Sequence, residues 1–390
     1  MEHTLKDNAL TVALHGRIDT VTSPEVDKEL SSILTNCKFT SLILDLADVD
    51  FVSSAGLRIF LRAKQTYDAV SIINVKQEVY EVFEMTGFTE IMDVEKAYRQ
   101  FSIDGCEIIG KGAVGTVYRY SDDTIVKVFR EGTSLDEIKH EIDISHKAFV
   151  LGIPTAISYD VVKVGDSFGT VYELLNCETM KGLILKDQQH LGKYAKMYSD
   201  VLHALHKSKV GPGELPSIRE HELKVAEIVT PLLPEKEGRK YSKMVNEIPD
   251  DYNVCHGDCH IKNIMVQNGE PLFIDMDTLC YGNPVFDFSR AYNTYFGYTE
   301  LLNQQDDMFI GLPYETVKEF WKLTLMEYFK TKDPIRIEQL ENKFALLGNA
   351  YLLYKVATLP DFAKKAGKEK IEWLKKTISE EIDKADNLML

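Results

Sequence analysis

The sequence predicts an α+β protein of two domains, and two observations support this fold class. The amino-terminal quarter alternates short apolar strands with amphipathic helices, a pattern typical of a mixed sheet with helices packed against it. The rest of the chain begins with several strands and continues with long amphipathic helices. We therefore predict an α/β domain over residues 1–101 and a bilobal domain over residues 102–390. Its small lobe, to about residue 175, is rich in strands, and its large lobe, from about residue 176, is helical.

Composition and charge exclude several classes of function. With 390 residues, 44% of them apolar, the chain can fill two ordinary globular cores. Its formal net charge of −16 argues against a general nucleic-acid binder, whose phosphate contacts need a basic surface. We expect no membrane span, because no stretch of about 18 uninterrupted apolar residues occurs. The acidic, polar start differs from a secretion signal, and the six cysteines do not suggest a disulfide framework, so we expect a reduced, cytoplasmic protein.

The predicted elements of the first domain are strands over residues 9–15, 41–46 and 70–75, and helices that begin at residue 23 or cover residues 57–67 and 77–85. Ser23 precedes Pro24, and we expect this serine to cap the first helix. A second pair, Ser53 and Ser54, stands before the helix at Leu57. Either serine could cap that helix, or a phosphate added there would meet the positive end of the helix dipole. Both interpretations remain open at this point.

Three motifs in the first domain match a known family. They are Gly16-x-Ile18-Asp19, the strand LILDLADVDFV, and Ser53-Ser54-Ala55-Gly56-Leu57 at the start of a helix. By these residues the segment resembles the STAS domain of anti-sigma-factor antagonists over almost its whole length. The resemblance implies that the family's regulatory phosphoserine falls on Ser54, although the residue before it, often Asp in the family, is Ser53 here. It also implies an anti-sigma-type or other regulatory protein as a partner.

A glycine-rich segment opens the second domain. Gly110, Gly112 and Gly115 lie between two strand-like runs, where glycines would let a turn lie over phosphates without side-chain collision. The same spacing also marks dinucleotide-binding folds, but there the motif opens a helix, whereas Thr116 and the residues after it have β propensity. A Walker A loop fits poorly, because Lys111 is followed by neither Ser nor Thr. We predict a strand, a phosphate-binding loop and a second strand.

The next strand, residues 124–129, carries Lys127 among apolar residues. Kinases use such a lysine to hold the α and β phosphates of ATP, and they pair it with a Glu on the following helix. Glu141, in the helix predicted over residues 135–150, is the candidate partner, and Glu137 one turn earlier is nearly as good. Without the neighbouring motifs, Lys127 would instead be interpreted as an edge-strand lysine.

The strongest signal is a segment in which Asp258 and Asn263 lie five residues apart between two strand-like pieces. This spacing equals that of the kinase catalytic loop, in which the Asp orients and deprotonates the attacking hydroxyl and the Asn binds magnesium. Asp275 follows at the end of the next apolar strand, where a carboxylate suits magnesium that bridges phosphates. Asp277 is a candidate second metal ligand. We predict Asp258 as the catalytic base, and Asn263 and Asp275 as magnesium ligands.

Zinc is a competing interpretation of the same segment. Cys255, His256, Cys259 and His260 are all residue types that bind zinc. They fall within six residues, however, and no second Cys or His pair follows at the spacing of a zinc finger. Strand alternation would also place Cys255 and His256 on opposite faces. We therefore prefer the phosphoryl-transfer interpretation.

Three motifs of the second domain also match a known family. They are His256-Gly257-Asp258-x-His260-x-x-Asn263, Ile274-Asp275-Met276-Asp277 and Gly282-Asn283-Pro284-x-x-Asp287. By these residues the chain from about residue 103 resembles the aminoglycoside phosphotransferase and choline kinase family, whose fold is protein-kinase-like. The resemblance implies ATP and Mg²⁺ as cofactors and Asp287 as a structural carboxylate that braces the catalytic loop. It also implies that residues 171–175 form the hinge that meets adenine, with Glu173 as the hinge residue.

The expected acceptor is a small molecule with a hydroxyl group. Asp287 follows Asp275 by 12 residues, too few for the long activation loop with which a protein kinase docks its peptide substrate. Two alternatives remain open. The same active site could belong to a regulatory protein kinase that phosphorylates Ser54 or a partner's STAS domain. The kinase-like half could also sense nucleotide without catalysis.

The remaining sequence predicts helices over residues 191–207, 314–328, 336–358 and 368–385. His203 and His206, in the first of these helices, are expected to be core-edge residues rather than ligands. An aromatic cluster follows residue 290 and consists of Tyr292, Tyr295, Phe296 and Tyr298. Such clusters usually pack in a core, but around a cationic substrate they could supply cation–π contacts.

Overall fold

The computed structural model of the chain describes residues 1–112, 114–174, 177–302 and 309–390. The described chain forms two compact units, of which the first contains Met1–Asp104 and Val161–Gly169. The second contains Gly105–Asp160 and Thr170–Leu390. The boundary between residues 101 and 102 stays a prediction. No helix within the described ranges is long and apolar enough to span a bilayer.

The first unit is an α/β domain. It contains strands β1 (Glu2–Lys6), β2 (Ala9–Ile18), β3 (Ser41–Val52), β4 (Val70–Val75), β5 (Asp93–Lys96) and β6 (Arg99–Gln100), and helices α1 (Ser23–Asn36), α2 (Ser54–Thr66), α3 (Gln77–Met85) and α4 (Phe88–Ile91). Strands β1 to β5 form one sheet in chain order, antiparallel between β1 and β2 and parallel from β2 onward. Because strand residues alternate between faces, Leu42, Leu44 and Leu46 of β3 are all fully buried.

Two features of this unit differ from the prediction. Ser23 does not cap the first helix, because it lies within α1, and Thr22 precedes the helix without a side-chain cap. The Asp19 carboxylate instead accepts hydrogen bonds from the backbone N–H groups of Val21 and Thr22, at 2.9 and 3.1 Å, and so holds the turn that leads into α1. The sequence does not predict β1, since all five of its residues are exposed and lack an apolar alternation.

The second unit begins with strands β7 (Glu107–Lys111), β8 (Gly115–Arg119) and β9 (Thr124–Phe129) and helix α5 (Leu135–Val150). Strands β10 (Ser158–Val164) and β11 (Ser167–Glu173) follow, and their stretch Val161–Gly169 belongs to the first unit. β7 pairs antiparallel with β8, and β8 with β9. This ladder agrees with the predicted strand, loop and strand, although Ala113 in the loop lies outside the described residues. Helix α5 begins with a capping box between Ser134 and Glu137.

The rest of the second unit is mainly helical. Its helices are α6 (Met180–Lys186), α7 (Leu191–Lys207), α8 (Ile218–Val229), α9 (Glu235–Asn246), α10 (Val285–Tyr292), α11 (Tyr298–Leu302), α12 (Tyr314–Tyr328), α13 (Pro334–Thr358), α14 (Pro360–Ala366) and α15 (Lys368–Lys384). Its short strands are β12 (Glu178–Thr179), β13 (Val254–Cys255), β14 (Ile264–Gln267), β15 (Glu270–Phe273) and β16 (Cys280–Tyr281). Phe288, Tyr295 and Trp321 are buried in one continuous core. The α+β fold class predicted from the sequence is confirmed.

Strands β14 and β15 bring the ends of two loops together. They pair antiparallel, with Ile264 opposite Phe273. The backbone N–H of Ile274 then donates a hydrogen bond to the carbonyl oxygen of Asn263 at 2.9 Å. The last residue of the predicted catalytic loop therefore lies beside the residue that precedes Asp275.

Candidate active site

Lys127 lies on β9, and its ammonium group contacts two carboxylates. Nζ lies 2.6 Å from Oε1 of Glu141 on α5 and 3.4 Å from Oδ1 of Asp275. Burial lowers the pKa of Lys127, but the two carboxylates outweigh burial, so the net pKa is raised and the ammonium stays charged. The edge-strand interpretation does not hold, since the side chain is only 15% exposed. Glu137, the other candidate partner, is engaged in the capping box of α5.

The three glycines before Lys127 have different surroundings. A side chain at Gly115 would place its Cβ 2.3 Å from the carbonyl oxygen of Val128 on β9, so only glycine fits there. At Gly110 and Gly112 the nearest atoms would lie at 3.6 and 3.8 Å, which is ordinary contact. Gly115 is therefore needed for the close pairing of β8 with the strand that carries Lys127.

Asp258 and Asn263 lie in the loop between β13 and β14. The Asn263 amide Nδ2 donates to the backbone oxygen of Asp258 at 3.1 Å and lies 3.4 Å from its Oδ2. His260 Nε2 lies 3.5 Å from the same Oδ2. Burial raises the pKa of Asp258, but His260 and Asn263 outweigh burial, so the net pKa is lowered and the carboxylate is ionised at neutral pH. Its side chain is 46% exposed, which leaves it open to a substrate.

Asp287, in the first turn of α10, holds the catalytic loop in place. Its buried carboxylate accepts hydrogen bonds from the backbone N–H groups of His256 and Gly257, at 2.8 and 2.7 Å. His206 Nε2 lies 3.0 Å from Oδ2, and its Nδ1 lies 2.7 Å from the hydroxyl of Tyr328. Burial raises the pKa of Asp287, but its hydrogen-bond donors outweigh burial and the net pKa is lowered. The bracing role that the family resemblance implies for Asp287 stays a prediction, and these hydrogen bonds are compatible with it.

Sequence reasoning missed the position of His206 in this network. Its ring is 4% exposed and joins Asp287 to Tyr328, so it is a buried link and not a core-edge residue. No local motif points to it, because Asp287 lies 81 residues further along the chain. His203, one turn earlier on α7, stacks on the ring of Tyr328 with centroids 3.9 Å apart.

The ring of His256 joins the catalytic loop to the neighbouring strand. Its Nδ1 accepts a hydrogen bond from the backbone N–H of Asp258 at 3.3 Å, and its Nε2 lies 3.3 Å from the carbonyl oxygen of Ile274. Burial lowers the pKa of His256, which keeps the ring neutral, with its proton on Nε2. The next residue, Gly257, has a φ of +81°, and a Cβ there would lie 2.4 Å from the backbone oxygen of Thr278. The turn therefore requires glycine.

Asp275 and Asp277 lie together just after β15. Asp275 has a left-handed backbone, with φ 62° and ψ 59°, which residues other than glycine rarely adopt. Loss of solvation, together with the nearby Asp275 carboxylate, raises the pKa of Asp277 to about 6. Asn263 donates through Nδ2 and leaves its Oδ1 as a ligand atom. Two mutually repelling carboxylates and an amide oxygen are hard oxygen donors, so this group of residues fits Mg²⁺.

The predicted hinge begins at the end of β11. Glu173 is exposed and accepts a hydrogen bond from the hydroxyl of Tyr159 at 3.3 Å. The backbone N–H of Leu174 donates to the carbonyl oxygen of Asp123 at 2.7 Å. Leu175, the last residue of the predicted hinge, lies outside the described residues. The contact of Glu173 with adenine stays a prediction.

The cysteines of the catalytic segment are buried and make hydrogen bonds. Cys255 Sγ lies 3.6 Å from a backbone carbonyl oxygen, and Cys259 Sγ lies 3.3 Å from the hydroxyl of Tyr198. Burial raises the pKa of both thiols, which keeps them protonated. Within the described ranges, a single group of three possible metal ligands occurs, and it combines Cys255 with His206 and Asp287, which already contact each other. This grouping differs from the zinc set weighed on the sequence.

The two serines at the start of α2 have different environments. Ser53 precedes the helix with an extended backbone, and its hydroxyl oxygen accepts a hydrogen bond from the N–H of Ala55 at 3.2 Å. Ser54 is the first residue of the helix and is exposed. Capping therefore falls to Ser53, and the hydroxyl of Ser54 is accessible.

The aromatic cluster after residue 290 divides between different environments. Tyr295 is fully buried, and its hydroxyl accepts a backbone N–H from the catalytic loop. The hydroxyl of Tyr298 accepts a hydrogen bond from Lys355 Nζ at 3.1 Å. Tyr292 and Phe296 line a cavity in the helical part. Core packing therefore describes only part of this cluster.

Comparison with protein families agrees with the fold and the motifs of both units. The model of the phosphotransferase enzyme family matches residues 105–315, and the model of the STAS domain matches residues 1–100. The chain therefore belongs to the phosphotransferase enzyme family and carries an amino-terminal STAS domain. Both resemblances expected from the sequence are confirmed.

Three known proteins illustrate what the two halves are similar to. A protein of Bordetella bronchiseptica named as a candidate anti-sigma factor antagonist, BtrV, is 30% identical over 92 residues, which are 23% of this chain and 78% of that protein. The structure of the streptomycin–ATP–APH(2″)-IIa ternary complex is 14% identical and covers 71% of this chain and 93% of its own, with a TM-score of 0.47. A choline/ethanolamine kinase family protein from Mesorhizobium loti is 14% identical and covers 72% and 91%, with a TM-score of 0.45.

Proposed function

We propose that this phosphotransferase moves the γ-phosphoryl group of ATP to a hydroxyl group of a small molecule. The observation that carries the proposal is the contact of Lys127 with both Glu141 and Asp275, at 2.6 and 3.4 Å. It brings a phosphate-binding lysine to the carboxylate expected to bind the metal. A protein that only senses nucleotide would have no need of this arrangement together with an ionised, accessible Asp258.

Asp258 is the proposed catalytic base. Its half-exposed carboxylate is held by Asn263 and His260, so one oxygen can accept a hydrogen bond from the acceptor hydroxyl. This bond would orient the hydroxyl oxygen toward the γ-phosphorus. As the new O–P bond forms, the bond from the γ-phosphorus to its bridging oxygen breaks and ADP leaves with that electron pair. The hydroxyl proton passes to Asp258.

Asn263, Asp275 and Asp277 are the residues that would hold Mg²⁺. When bound, this ion supplies positive charge to the β and γ phosphates. Lys127 would add a second positive charge at the α and β phosphates, and its pair with Glu141 fixes the direction of the ammonium group. The residues around the reacting phosphate therefore act mainly by position and charge.

The nucleotide would lie along the strand-rich part of the second unit. Gly110, Gly112 and Gly115 form the proposed phosphate loop, and Glu173 marks the proposed hinge at the adenine. Membership of the phosphotransferase enzyme family supports a nucleotide as the phosphoryl donor. An aqueous, cytoplasmic location belongs to the same proposal.

A small acceptor is favoured by the short connection between the metal site and the next helix. Within the 12 residues from Asp275 to Asp287, the chain forms a helical turn at Met276–Thr278 and the strand β16, and α10 already begins at Val285. This segment has no room for an activation loop that would dock a peptide. The acceptor hydroxyl is therefore proposed to belong to a diffusible compound.

A regulatory protein kinase is the second candidate, and the accessible Ser54 is the observation that favours it. The same Asp258 could accept the proton of a serine hydroxyl, either from Ser54 or from the STAS domain of a partner. The similarity of the first unit to a candidate anti-sigma factor antagonist supports a regulatory partner of that type. In this case the STAS domain would be the substrate of the kinase, and its phosphorylation would regulate binding of the partner.

The test uses the purified full chain with Mg²⁺ and γ-phosphate-labelled ATP. We would measure ADP release with a panel of hydroxyl compounds, and we would measure the label on Ser54 by mass spectrometry. The variant Asp258→Asn removes the base and is expected to lower transfer by at least about 100-fold. The matched control is Asp250→Asn, which changes an exposed carboxylate upstream of the loop and should keep full activity.

The outcomes separate the candidates. ADP release that depends on one hydroxyl compound and disappears in Asp258→Asn supports the small-molecule transferase. Label on Ser54 that disappears in the same variant makes the protein kinase the primary function. Nucleotide binding without any transfer, across the panel and on the protein itself, would overturn both and leave a nucleotide sensor.

A further inference from the structure

A cavity in the helical part of the second unit is separate from the proposed active site. Its volume is about 280 Å³, and helices α10 to α13 and α15 contribute its walls. Its wall includes the aromatic rings of Tyr292, Phe296 and Tyr314. It also includes the carboxylates of Glu300, Glu341 and Glu381. None of Lys127, Asp258, Asn263 and Asp275 lines it. We refer to it as the Glu381 cavity.

Glu381 contributes a buried carboxylate oxygen that lacks a donor. Its residue is only 8% exposed. Oε1 accepts a hydrogen bond from Nδ2 of Asn349 at 2.9 Å, whereas Oε2 has no hydrogen-bond partner among the described residues. A buried carboxylate oxygen without a donor costs free energy, about 1 to 3 kcal/mol or more. A cation bound in the cavity beside this carboxylate would offset part of this cost through its charge.

The charge of the cavity wall favours a cation. Four carboxylates line it, because Glu380 joins the three already named, and two lysines, Lys318 and Lys384, also line it. Partners outside the cavity partly neutralise one group of each sign, since Glu315 lies 3.5 Å from Lys318 and Lys376 lies 3.7 Å from Glu380. Negative charge therefore exceeds positive charge at the wall, and burial, the first cause, raises the pKa of Glu381 to about 8. A bound cation would stabilise the ionised form of this carboxylate.

The aromatic rings indicate an organic cation and not a metal ion. The centroid of Phe296 lies 5.3 Å from that of Tyr292 and 6.1 Å from that of Tyr314, so three ring faces or edges border one space. Such rings attract ammonium groups and their alkyl chains. A divalent metal ion is bound by several oxygen ligands, whereas aromatic rings suit the alkyl part of an organic cation.

We propose that the Glu381 cavity binds a small protonated aliphatic amine, whose ammonium group binds the carboxylates of the wall, Glu381 among them, while its carbon chain packs against Tyr292, Phe296 and Tyr314. The site is independent of the phosphoryl acceptor and does not rest on the proposed reaction. Tyr292 lies at the end of α10, the helix whose first turn contains Asp287. The cavity therefore adjoins the helix that holds the catalytic loop.

The test measures binding of 1,4-diaminobutane to the full chain by isothermal titration calorimetry at pH 8. We expect a dissociation constant tighter than about 1 mM. Glu381→Gln keeps the shape of the side chain and its acceptor for Asn349 but removes the charge, and it should weaken binding at least about 10-fold. Glu372→Gln, on the solvent face of the same helix, is the matched control and should leave the affinity unchanged.

Two further measurements keep the proposal open to contradiction. Glu341→Gln removes a second wall carboxylate and should also weaken binding, so a folding defect of Glu381→Gln would not decide the outcome. Tetramethylammonium, which lacks an N–H group, and Mg²⁺ alone should bind more weakly than the diamine. The proposal is overturned if the diamine does not bind, or if both the Glu381 and the Glu341 variant bind it as tightly as the wild type does. It is also overturned if tetramethylammonium or Mg²⁺ binds as tightly as the diamine.

Discussion

Asp287 and Glu381 are both buried carboxylates in the helical part of the second unit, yet their surroundings differ. Asp287 is 2% exposed and has three hydrogen-bond donors, from His256, Gly257 and His206. Glu381 is 8% exposed and has one, from Asn349. Burial raises the pKa of both groups, but only at Asp287 do donors reverse the shift. The number of donors, more than the depth of burial, decides whether a buried carboxylate stays ionised.

This difference distinguishes a carboxylate that is fully bonded within the protein from one that could bind a ligand. The donors of Asp287 come from the predicted catalytic loop and α7, so both of its carboxylate oxygens already accept hydrogen bonds from the protein. Glu381 lines a cavity and has one oxygen without a donor, so a cation bound in the cavity would stabilise its ionised form. Each of the following changes tests one side of this comparison.

The largest effect is expected for Asp287→Asn. The amide would keep the shape, but its NH2 group would replace one carboxylate oxygen and face the backbone N–H of either His256 or Gly257, and the charge beside His206 would be lost. We expect the free energy of unfolding to fall by about 3 to 5 kcal/mol, as when one partner of a buried charged pair is removed. Urea unfolding of the full chain measures this loss. Asp250→Asn is the control, and a loss below about 1 kcal/mol would contradict the bracing role of Asp287.

The next effect, which is smaller for each pH unit and visible as a pH dependence, is expected for Glu381→Gln. The pKa of Glu381 is raised from 4.5 to about 8, so its contribution to stability is fully present below pH 4.5 and is lost as the pH rises toward 8. The wild type should therefore lose stability relative to Glu381→Gln by about 1.4 kcal/mol for each pH unit in this window. Urea unfolding at several values from pH 5 to 8, with Glu372→Gln as the control, measures the slope. Parallel curves for the wild type and Glu381→Gln would show that Glu381 is ionised without a ligand.

The smallest effect on stability is expected for Ser53→Ala, because solvent can also reach the hydroxyl oxygen of Ser53. Ser53 accepts one backbone N–H, that of Ala55, at the start of α2. Ser53→Ala should lower the stability of the first unit by about 1 kcal/mol, whereas Ser54→Ala should change it little. Urea unfolding followed by a probe in the first unit measures both. A larger loss for Ser54→Ala would reverse the assignment of the cap.

Local patterns predicted much of the fold. The predicted bounds of β4, β9, α5, α7 and α12 agree with the structure, because strand alternation, helical periodicity and caps act over neighbouring residues. The pairing of Lys127 with Glu141 could be predicted for the same reason, since a strand and the next helix carry both residues. Ser23 was the wrong cap, because Asp19 supplies a competing acceptor that the serine–proline pattern does not reveal.

Long-range pairs could not be predicted in this way. His206 meets Asp287 across 81 residues of chain, and Asn349 meets Glu381 across 32. Such pairs depend on how helices pack, and helix periodicity sets the buried face without naming the partner. The Glu381 cavity has no sequence motif for the same reason, since four separate segments build it.

The bridge made by the His256 ring has a consequence for how the active site keeps its dimensions. One neutral imidazole links the backbone of Asp258 to the carbonyl of Ile274, the residue before Asp275. This ring is one of two links between the predicted base and the predicted metal ligand, since the N–H of Ile274 also donates to the carbonyl oxygen of Asn263. A shift of either loop would strain the hydrogen bonds that join it to the other, so we expect the gap proposed for a hydroxyl and a phosphoryl group to be restrained from both sides.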